Sequence, residues 1–286
     1  MKEKIIEKLQ ERGYNAEITN VVKNGVTMCG LTFRTTESNI APTIYIDSYL
    51  DCTDGELSGV VDKIIETYKK AVEDTPDVDI DKLMNWEWAK DNLQLCIQRK
   101  GNEDIVKRDF LNLEEYVRVR VSEDGTFKVT PRHLNEYGIT EETLFKTAWE
   151  CTLPTIEIED MAAVMAELMG VSIEETKEMM GDKAMIVATN KSKLHGAIAM
   201  KATEKLVEIA DRYEKDLAIL PSSIHEILLI PVDENTNFET LNRMVQEVNA
   251  TQVTPEEVLS NHAYRLNREE RSITFYHDTK SGKYTF

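Results

Sequence analysis

The sequence predicts an α+β fold in which mixed or antiparallel sheets carry helices packed on them, arranged as two or three subdomains. Two observations support this class. Apolar residues recur with a helical period in some segments and with a strand period in others, and the strands and helices do not alternate in a strict βαβ rhythm. At 286 residues, 41% of them hydrophobic, the chain is long enough to bury a sizeable core.

The N-terminal region carries both periods in succession. Ile5, Ile6 and Leu9 share one helical stripe. Asn24-Gly25 separates two β-like runs, and both residues tolerate the positive φ of a tight hairpin turn. The predicted order is a helix, three strands and a helix, over residues 2–12, 16–23, 26–34, 43–47 and 57–72.

The middle of the chain predicts a strand over Leu93–Arg99, followed by a second hairpin and two capped helices. Thr130-Pro131 begins one helix, because the hydroxyl caps it and proline is tolerated in the first turn. Thr140 begins the next. The hairpin is predicted to pair residues 115–122 with 126–130 around Glu123-Asp124-Gly125.

Methionines are concentrated in the predicted helical segment at residues 157–181. Met161, Met165 and Met169 recur every four residues, and Met179 and Met180 follow. Such a stripe is typical of an adaptable binding groove. The favoured alternative is a helix that packs its Met face on a core or on a dimer partner.

The last third alternates more regularly between strands and helices. Helices are predicted over Leu194–Lys215 and Phe238–Val248, with a short one from Thr254. The predicted strands are Ala184–Ala188, Leu217–Leu220, Ile224–Pro231, Ala263–Leu266 and Ile273–His277. The predicted domains are therefore a strand-rich α+β domain over residues 1–155, a helical Met-rich connector over 156–182, and a C-terminal α+β domain over 183–286.

The charge balance disfavours nucleic acid as a partner. The formal net charge is −18, from 34 Lys and Arg against 52 Asp and Glu, whereas affinity for phosphate backbones comes from cations. The competing hypothesis is a basic face that assembles in three dimensions. It would comprise Arg99, Lys100, Lys107, Arg108, Arg118 and Arg120.

The four cysteines and the N-terminus predict a cytoplasmic protein that does not enter a membrane. Cys29, Cys52, Cys96 and Cys151 lie far apart, without the close spacing of a metal site. The N-terminus predicts a charged amphipathic helix rather than a signal peptide. No apolar run approaches the ~20 residues that span a bilayer.

Two metal motifs were considered and fail at decisive positions. Asp77–Asp81 begins like a calcium loop, but the sixth and twelfth positions are Lys82 and Trp88 instead of Gly and Glu. His225-Glu226 begins like a zinc-protease helix, but Leu229 stands where the second His is required. We therefore predict no metal and no cofactor, and the catalytic residues, if there are any, are unknown.

One polar cluster remains as a candidate ligand-binding site. Ser222, Ser223, His225 and Glu226 follow Pro221 between two apolar runs, and these groups could bind a polar ligand or act as nucleophile, base and orienting group. If the segment is a strand, Ser223 and His225 lie about 7 Å apart on one face, too far for a direct hydrogen bond. The favoured alternative is a polar edge whose side chains hold a turn.

The segment Leu220–Glu226 resembles a family of unknown function from gut Firmicutes, the domain of unknown function numbered 5688. Flanking segments extend the resemblance over most of the chain. They are Asn190-Lys191, Gly196-Ala197, Val248–Thr251 and Pro255–Ser260. The resemblance implies a bacterial protein, and the family has no assigned activity or catalytic residue to carry over.

The predicted function is a cytoplasmic binding or protein-interaction protein without catalysis, whose partner is another protein or a second copy of the chain. The alternative is a hydrolase-like enzyme of unrecognised type that uses the bend Pro221–Glu226. In that hypothesis His225 acts with Ser222 or Ser223 and with Glu226.

Overall fold

The computed structural model describes residues 1–33, 42–73, 79–122, 125–180, 184–275 and 282–284. The chain forms two compact units, Met1–Asp81 and Lys82–Phe286. The boundary falls within a short helix, Ile80–Leu83. Among the described residues, no helix is both long and apolar enough to cross a bilayer.

The first unit is a three-stranded antiparallel sheet with two helices, in the strand order β1-β2-β3. The positive φ angles of Asn24 (48°) and Gly25 (76°) form the hairpin turn that this dipeptide predicted. The elements are α1 (Lys2–Glu11), β1 (Ala16–Lys23), β2 (Val26–Phe33), β3 (Thr43–Tyr45), a 3-10 helix (Asp47–Tyr49) and α2 (Leu57–Glu73).

The first unit has a hydrophobic core of its own. Leu9 from α1, Leu31 and Phe33 from β2, and Ile64 from α2 are almost completely buried in it. The apolar stripes of the helices and of the strands therefore meet in one core.

The second unit contains two further antiparallel sheets. Its elements before residue 185 are α3 (Ile80–Leu83), α4 (Trp86–Ala89), β4 (Leu93–Arg99), β5 (Lys107–Phe110), β6 (Leu113–Arg120), β7 (Thr126–Lys128), α5 (Pro131–Tyr137), α6 (Glu141–Thr152), β8 (Ile156–Asp160), α7 (Met161–Met169) and α8 (Ile173–Met180). After it come β9 (Ile186–Asn190), a 3-10 helix (Gly196–Lys201), α9 (Thr203–Tyr213), β10 (Asp216–Pro221), β11 (Ile227–Val232), α10 (Phe238–Gln252), β12 (Tyr264–Asn267), β13 (Ser272–Phe275) and β14 (Gly282–Tyr284).

The two sheets of the second unit share one core. The smaller sheet has the order β4-β6-β5 with β7 paired to β6, and the larger one has the order β14-β13-β12-β10-β11-β9-β8. Leu95 and Val117 of the first sheet lie in the same buried cluster as Ile219 and Leu229 of the second. Antiparallel sheets with helices against them confirm the predicted α+β class.

The compact units differ from the predicted domains. Residues 82–155 and the region after 183 contribute to a single core, so no boundary between units falls near residue 155. The predicted connector also begins differently, because Ile156–Asp160 is a strand paired with β9 before α7 starts. The boundaries of the units depend on which apolar faces pack together. That packing is decided by pairing between distant segments, and the local sequence pattern does not encode it.

Three predicted elements have different forms in the structure. The single helix predicted over Leu194–Lys215 is a 3-10 helix followed by α9. The strand predicted from Ile224 starts at Ile227, so residues 222–226 form a bend. The helix predicted from Thr254 is only a turn, closed by the bond from Glu257 N–H to Thr254 O (2.9 Å).

Some predicted features lie outside the described residues. These are Asp77 and Val78 of the calcium-like segment, Glu123 and Asp124 of the second hairpin turn, Arg34 at the end of the second strand, and the last two residues of the strand predicted over 273–277.

Candidate functional site: the bend and the adjoining pocket

The structure brings the four predicted site residues together in the bend between β10 and β11. Ser222 Oγ donates a hydrogen bond to Glu226 Oε1 (3.2 Å), and the backbone N–H of His225 donates to Ser223 Oγ (2.9 Å). Each serine hydroxyl therefore holds another part of the bend. This local network is typical of Ser residues that stabilise turns.

The ring of His225 bonds to other segments rather than to the two serines. Its Nδ1 accepts a hydrogen bond from the backbone N–H of His195 (3.2 Å), and its Nε2 lies 3.4 Å from Glu257 Oε1. Across the described residues, no hydrogen bond joins this ring to Ser222 or Ser223. The bend therefore lacks the direct contact between a serine hydroxyl and the ring of His225 that the hydrolytic alternative requires.

His195 connects the bend to a pocket that the sequence did not predict. Its φ of 56° is in the left-handed region, and its ring lies 5.4 Å from that of His225 between centroids. Arg118 Nη1 donates to His195 Nε2, and Arg118 Nη2 donates to Thr126 Oγ1. Because a guanidinium can only donate, this contact makes Nε2 of His195 an acceptor and the ring neutral.

Gly196 allows this close packing. A Cβ at this position would lie 2.2 Å from Thr189 Oγ1 and 2.6 Å from both Asn190 N and the carbonyl oxygen of His225. Thr189 Oγ1 also donates to that same carbonyl (2.8 Å). Strand β9, the 3-10 helix and the bend thus meet around a position where only glycine fits.

A pocket of about 440 Å³ lies next to His195. Its walls come from β4, β6, β7, the end of α6, and the segment that follows β9. The lining residues are Leu93, Gln94, Arg118, Arg120, Thr126, Cys151, Thr152, Thr155, Asn190, Lys191, Ser192, Leu194 and His195.

The wall formed by residues 191–195 is fixed by side-chain amides. The carbonyl oxygen of Leu194 accepts hydrogen bonds from Asn190 Nδ2 (2.8 Å) and from Gln94 Nε2 (3.0 Å). Ser192 Oγ donates to Asn190 Oδ1 (2.9 Å), and the backbone N–H of Lys191 donates to Thr155 O (2.9 Å). This wall is therefore largely preformed, as is usual for small-molecule sites.

Cys151 gives the pocket a thiol of low reactivity. Burial, with smaller contributions from Asp91 and Glu150, raises its pKa, and its Sγ donates to Lys90 O (3.3 Å). Because the thiolate is the nucleophile in cysteine chemistry, this environment opposes a catalytic role for Cys151.

The residues of the predicted basic face are mostly engaged elsewhere. Lys100 pairs with Asp109 (2.6 Å), and Lys107 pairs with the buried Glu114 (3.3 Å). Likewise Arg108 pairs with Glu141, and Arg99 donates to a backbone carbonyl. The two that remain, Arg118 and Arg120, both line the pocket.

The described residues contain no group of three or more His, Cys, Asp or Glu side chains that could hold a metal ion. The sequence does not predict the pocket as a site because the lining residues come from four separate stretches of the chain. Asn190-Lys191 and Gly196 do belong to the segments that resemble the family, and the crowding around Gly196 gives its presence there a physical reason.

Neither the curated proteins nor the solved structures contain a match to this chain. A family model does match, over residues 1–268, and it is described as a family of unknown function, DUF5688. The match includes both compact units up to β12, the bend and every residue that lines the pocket. The chain therefore belongs to the DUF5688 family.

Proposed function

We propose that this protein binds a small polar molecule in the pocket beside His195 and catalyses no reaction on it. The observation that carries this proposal is the pocket itself, a cavity of about 440 Å³ lined mostly by polar side chains. Its volume is within the range of small-molecule sites, roughly 300–1,000 Å³.

The geometry of the bend favours binding over hydrolysis. A serine nucleophile needs a base within hydrogen-bond reach of its hydroxyl. In the hydrolytic alternative that base is His225, but its ring accepts a hydrogen bond from the backbone of His195 and lies near Glu257. The hydroxyl of Ser222 donates to Glu226 and not to this ring. In the proposed function the bend supports the pocket wall, and Ser222, Ser223, His225 and Glu226 act as positioning residues.

A cytoplasmic location remains part of the proposal. All four cysteines are free, which is usual where thiols are kept reduced. A protein partner or a second copy of the chain also stays a prediction. It is supported by the exposed apolar side chains of α7 and α8, where Leu168 is 82% and Met179 60% exposed.

The proposal is tested by protection of Cys151 from alkylation in the native protein. Iodoacetamide labelling is followed peptide by peptide, at about pH 9 because the raised pKa of Cys151 keeps its thiol protonated at neutral pH. Pools of nucleotides, sugars, sugar phosphates, amino acids and small organic acids are added in turn. The half-buried Cys52, which lies in the other compact unit, serves as the internal reference.

At least one pool should slow the labelling of Cys151 several-fold and leave the labelling of Cys52 unchanged. A variant with His195→Ala should lose this protection, because the pocket wall and the position of Arg118 depend on that ring. The proposal fails if no pool protects Cys151, or if every pool that protects it protects Cys52 equally.

A further inference from the structure

We propose that the ligand of this pocket is an anion, whose phosphate or carboxylate group is held by Arg118 with Arg120 and Lys191 beside it. The inference rests on the proposed function and names the chemical class of its ligand. It is carried by the distribution of charge around the cavity.

The pocket has the opposite charge bias to the chain as a whole. The sequence holds 52 acidic residues against 34 basic ones. Among the residues that the structure describes, however, those that line the cavity include Arg118, Arg120 and Lys191 and no carboxylate. The chain as a whole has a negative electrostatic potential, whereas these three cations make the potential around the cavity locally positive.

These three cations have no carboxylate partner in the part of the chain that the structure describes. Elsewhere in the same unit basic side chains do find one, as Arg108 does with Glu141 and Arg265 with Asp216. Within the described part of the chain, the positive charge of the pocket is therefore not compensated by an ion pair. An anionic ligand would supply the missing compensation.

Arg118 is held in place by neutral groups, which leaves its charge available. Its two terminal nitrogens donate to the ring of His195 and to the hydroxyl of Thr126. Its Nε is buried and has no acceptor among the described residues. A guanidinium has five N–H donors in a fixed planar fork, so donors remain for an oxyanion.

Arg120 and Lys191 fit a different role. Both are exposed, and both line the same cavity as Arg118. Exposed cations attract an anion through long-range electrostatics, and dissolved salt screens this attraction. We therefore expect Arg118 to determine most of the affinity, and Lys191 to contribute a smaller part that decreases as ionic strength rises.

The test is isothermal titration calorimetry of the full chain with inorganic phosphate, with succinate and with glycerol as a neutral comparator, all at one ionic strength. Arg118→Gln removes the proposed anchor. Lys191→Gln removes an exposed cation and keeps the test valid if the first variant does not fold. Arg243→Gln, on the exposed side of α10, changes the net charge equally and leaves the pocket intact.

Wild type should bind phosphate, succinate or both, and should not bind glycerol. Affinity should fall about tenfold or more in Arg118→Gln, because a charge-assisted hydrogen bond is lost. It should fall a few-fold in Lys191→Gln and stay unchanged in Arg243→Gln. Binding of phosphate alone identifies a phosphoryl ligand and binding of succinate alone a carboxylate, and either result supports the proposal.

The proposal is overturned if Arg118→Gln and Lys191→Gln both bind the anions as wild type does. It is also overturned if neither anion binds while neutral compounds protect Cys151, and in that case the proposed binding function survives. Failure of every compound to protect Cys151, together with no anion binding, removes both proposals.

Discussion

At the scale of single residues, the hydrogen-bond partners of the two clustered histidines determine which ring nitrogens accept. Nδ1 of His225 accepts from the backbone of His195, and Nε2 of His195 accepts from Arg118. A backbone N–H and a guanidinium can only donate hydrogen bonds, so these two contacts fix which nitrogen of each ring is the acceptor. The pair positions Arg118 and the pocket wall.

His133 gives a residue-scale prediction about pH. Burial, with a smaller contribution from Arg132, lowers the pKa of His133 below its ordinary value of 6.5. Its Nδ1 accepts from the backbone N–H of Thr130 (3.1 Å) in the capping box of α5. The unfolded chain therefore takes up this proton first as pH falls. Stability is lost as pH decreases through 6.5 toward the lowered value, and is fully present above that window.

We expect His133→Gln to flatten the dependence of the free energy of unfolding on pH over about pH 5–7. One proton accounts for at most about 1.4 kcal/mol per pH unit, so the change of slope is below that limit. Urea denaturation at several pH values measures it. An unchanged slope in the variant would show that His133 does not contribute to the acid sensitivity.

The sequence predicted part of the candidate site at this scale. Ser222, Ser223, His225 and Glu226 lie together in one bend because they are adjacent in the chain, and their role in binding a ligand stays a prediction. The pocket needs Arg118 to reach His195 across 77 positions, and no local pattern encodes that contact. Arg118 and Arg120 were singled out for their charge, but as part of a nucleic-acid face.

At the scale of elements, local chemistry predicted the segments that it fully determines. Asn24-Gly25 specified its hairpin, Leu93–Arg99 matches β4 at both ends, and Thr130 and Thr140 cap their helices as predicted. The helix predicted over Leu194–Lys215 failed for a physical reason. Its first part, Gly196–Met200, is buried on all sides, so it has no polar face and its apolar content does not indicate a helical period.

Gly196 gives a prediction at the junction of three elements. We expect Gly196→Ala to destabilise the protein by roughly 1–3 kcal/mol, because the new methyl group forces β9 or the bend to move. The new methyl group would also displace Asn190, whose side chain holds the pocket wall through Leu194 O. A bound ligand should therefore protect Cys151 from alkylation less well in this variant.

Gly59→Ala is the matched control for this prediction, since nothing lies within 4 Å of a Cβ at that position in α2. Gly59 lies in the first turn of α2, where alanine is favoured over glycine, so this variant should be neutral or slightly stabilised, by up to about 0.5–1 kcal/mol. Urea denaturation of both variants measures the difference. Equal effects in the two variants would contradict the role assigned to Gly196.

At the scale of the whole molecule, the fold class was predictable and the division of the chain was not. Burial alternation along the strands and stripes along the helices are local properties, so they indicated an α+β fold directly. The boundary near residue 81 reflects which segments share a core. That information lies in which distant residues share one core, as Leu95 does with Ile219 and Leu229.

The division supplies an internal reference for the pocket. The first unit has its own core, and none of its described residues lines the cavity. Phosphate also stabilises proteins in general, by exclusion from their surface. A specific site can therefore be separated from this general effect by comparing the two units in one molecule.

Hydrogen exchange of the native chain, with and without phosphate and succinate together, tests the central claim most directly. A specific anion site in the pocket predicts slower exchange in peptides that cover residues 190–196 and 118–122. This slowing should exceed any general slowing in residues 1–33 and 42–73. In Arg118→Gln the slowing should disappear. Exchange that is unaffected in 190–196, or slowed equally in the first unit, would contradict a specific anion site in this pocket.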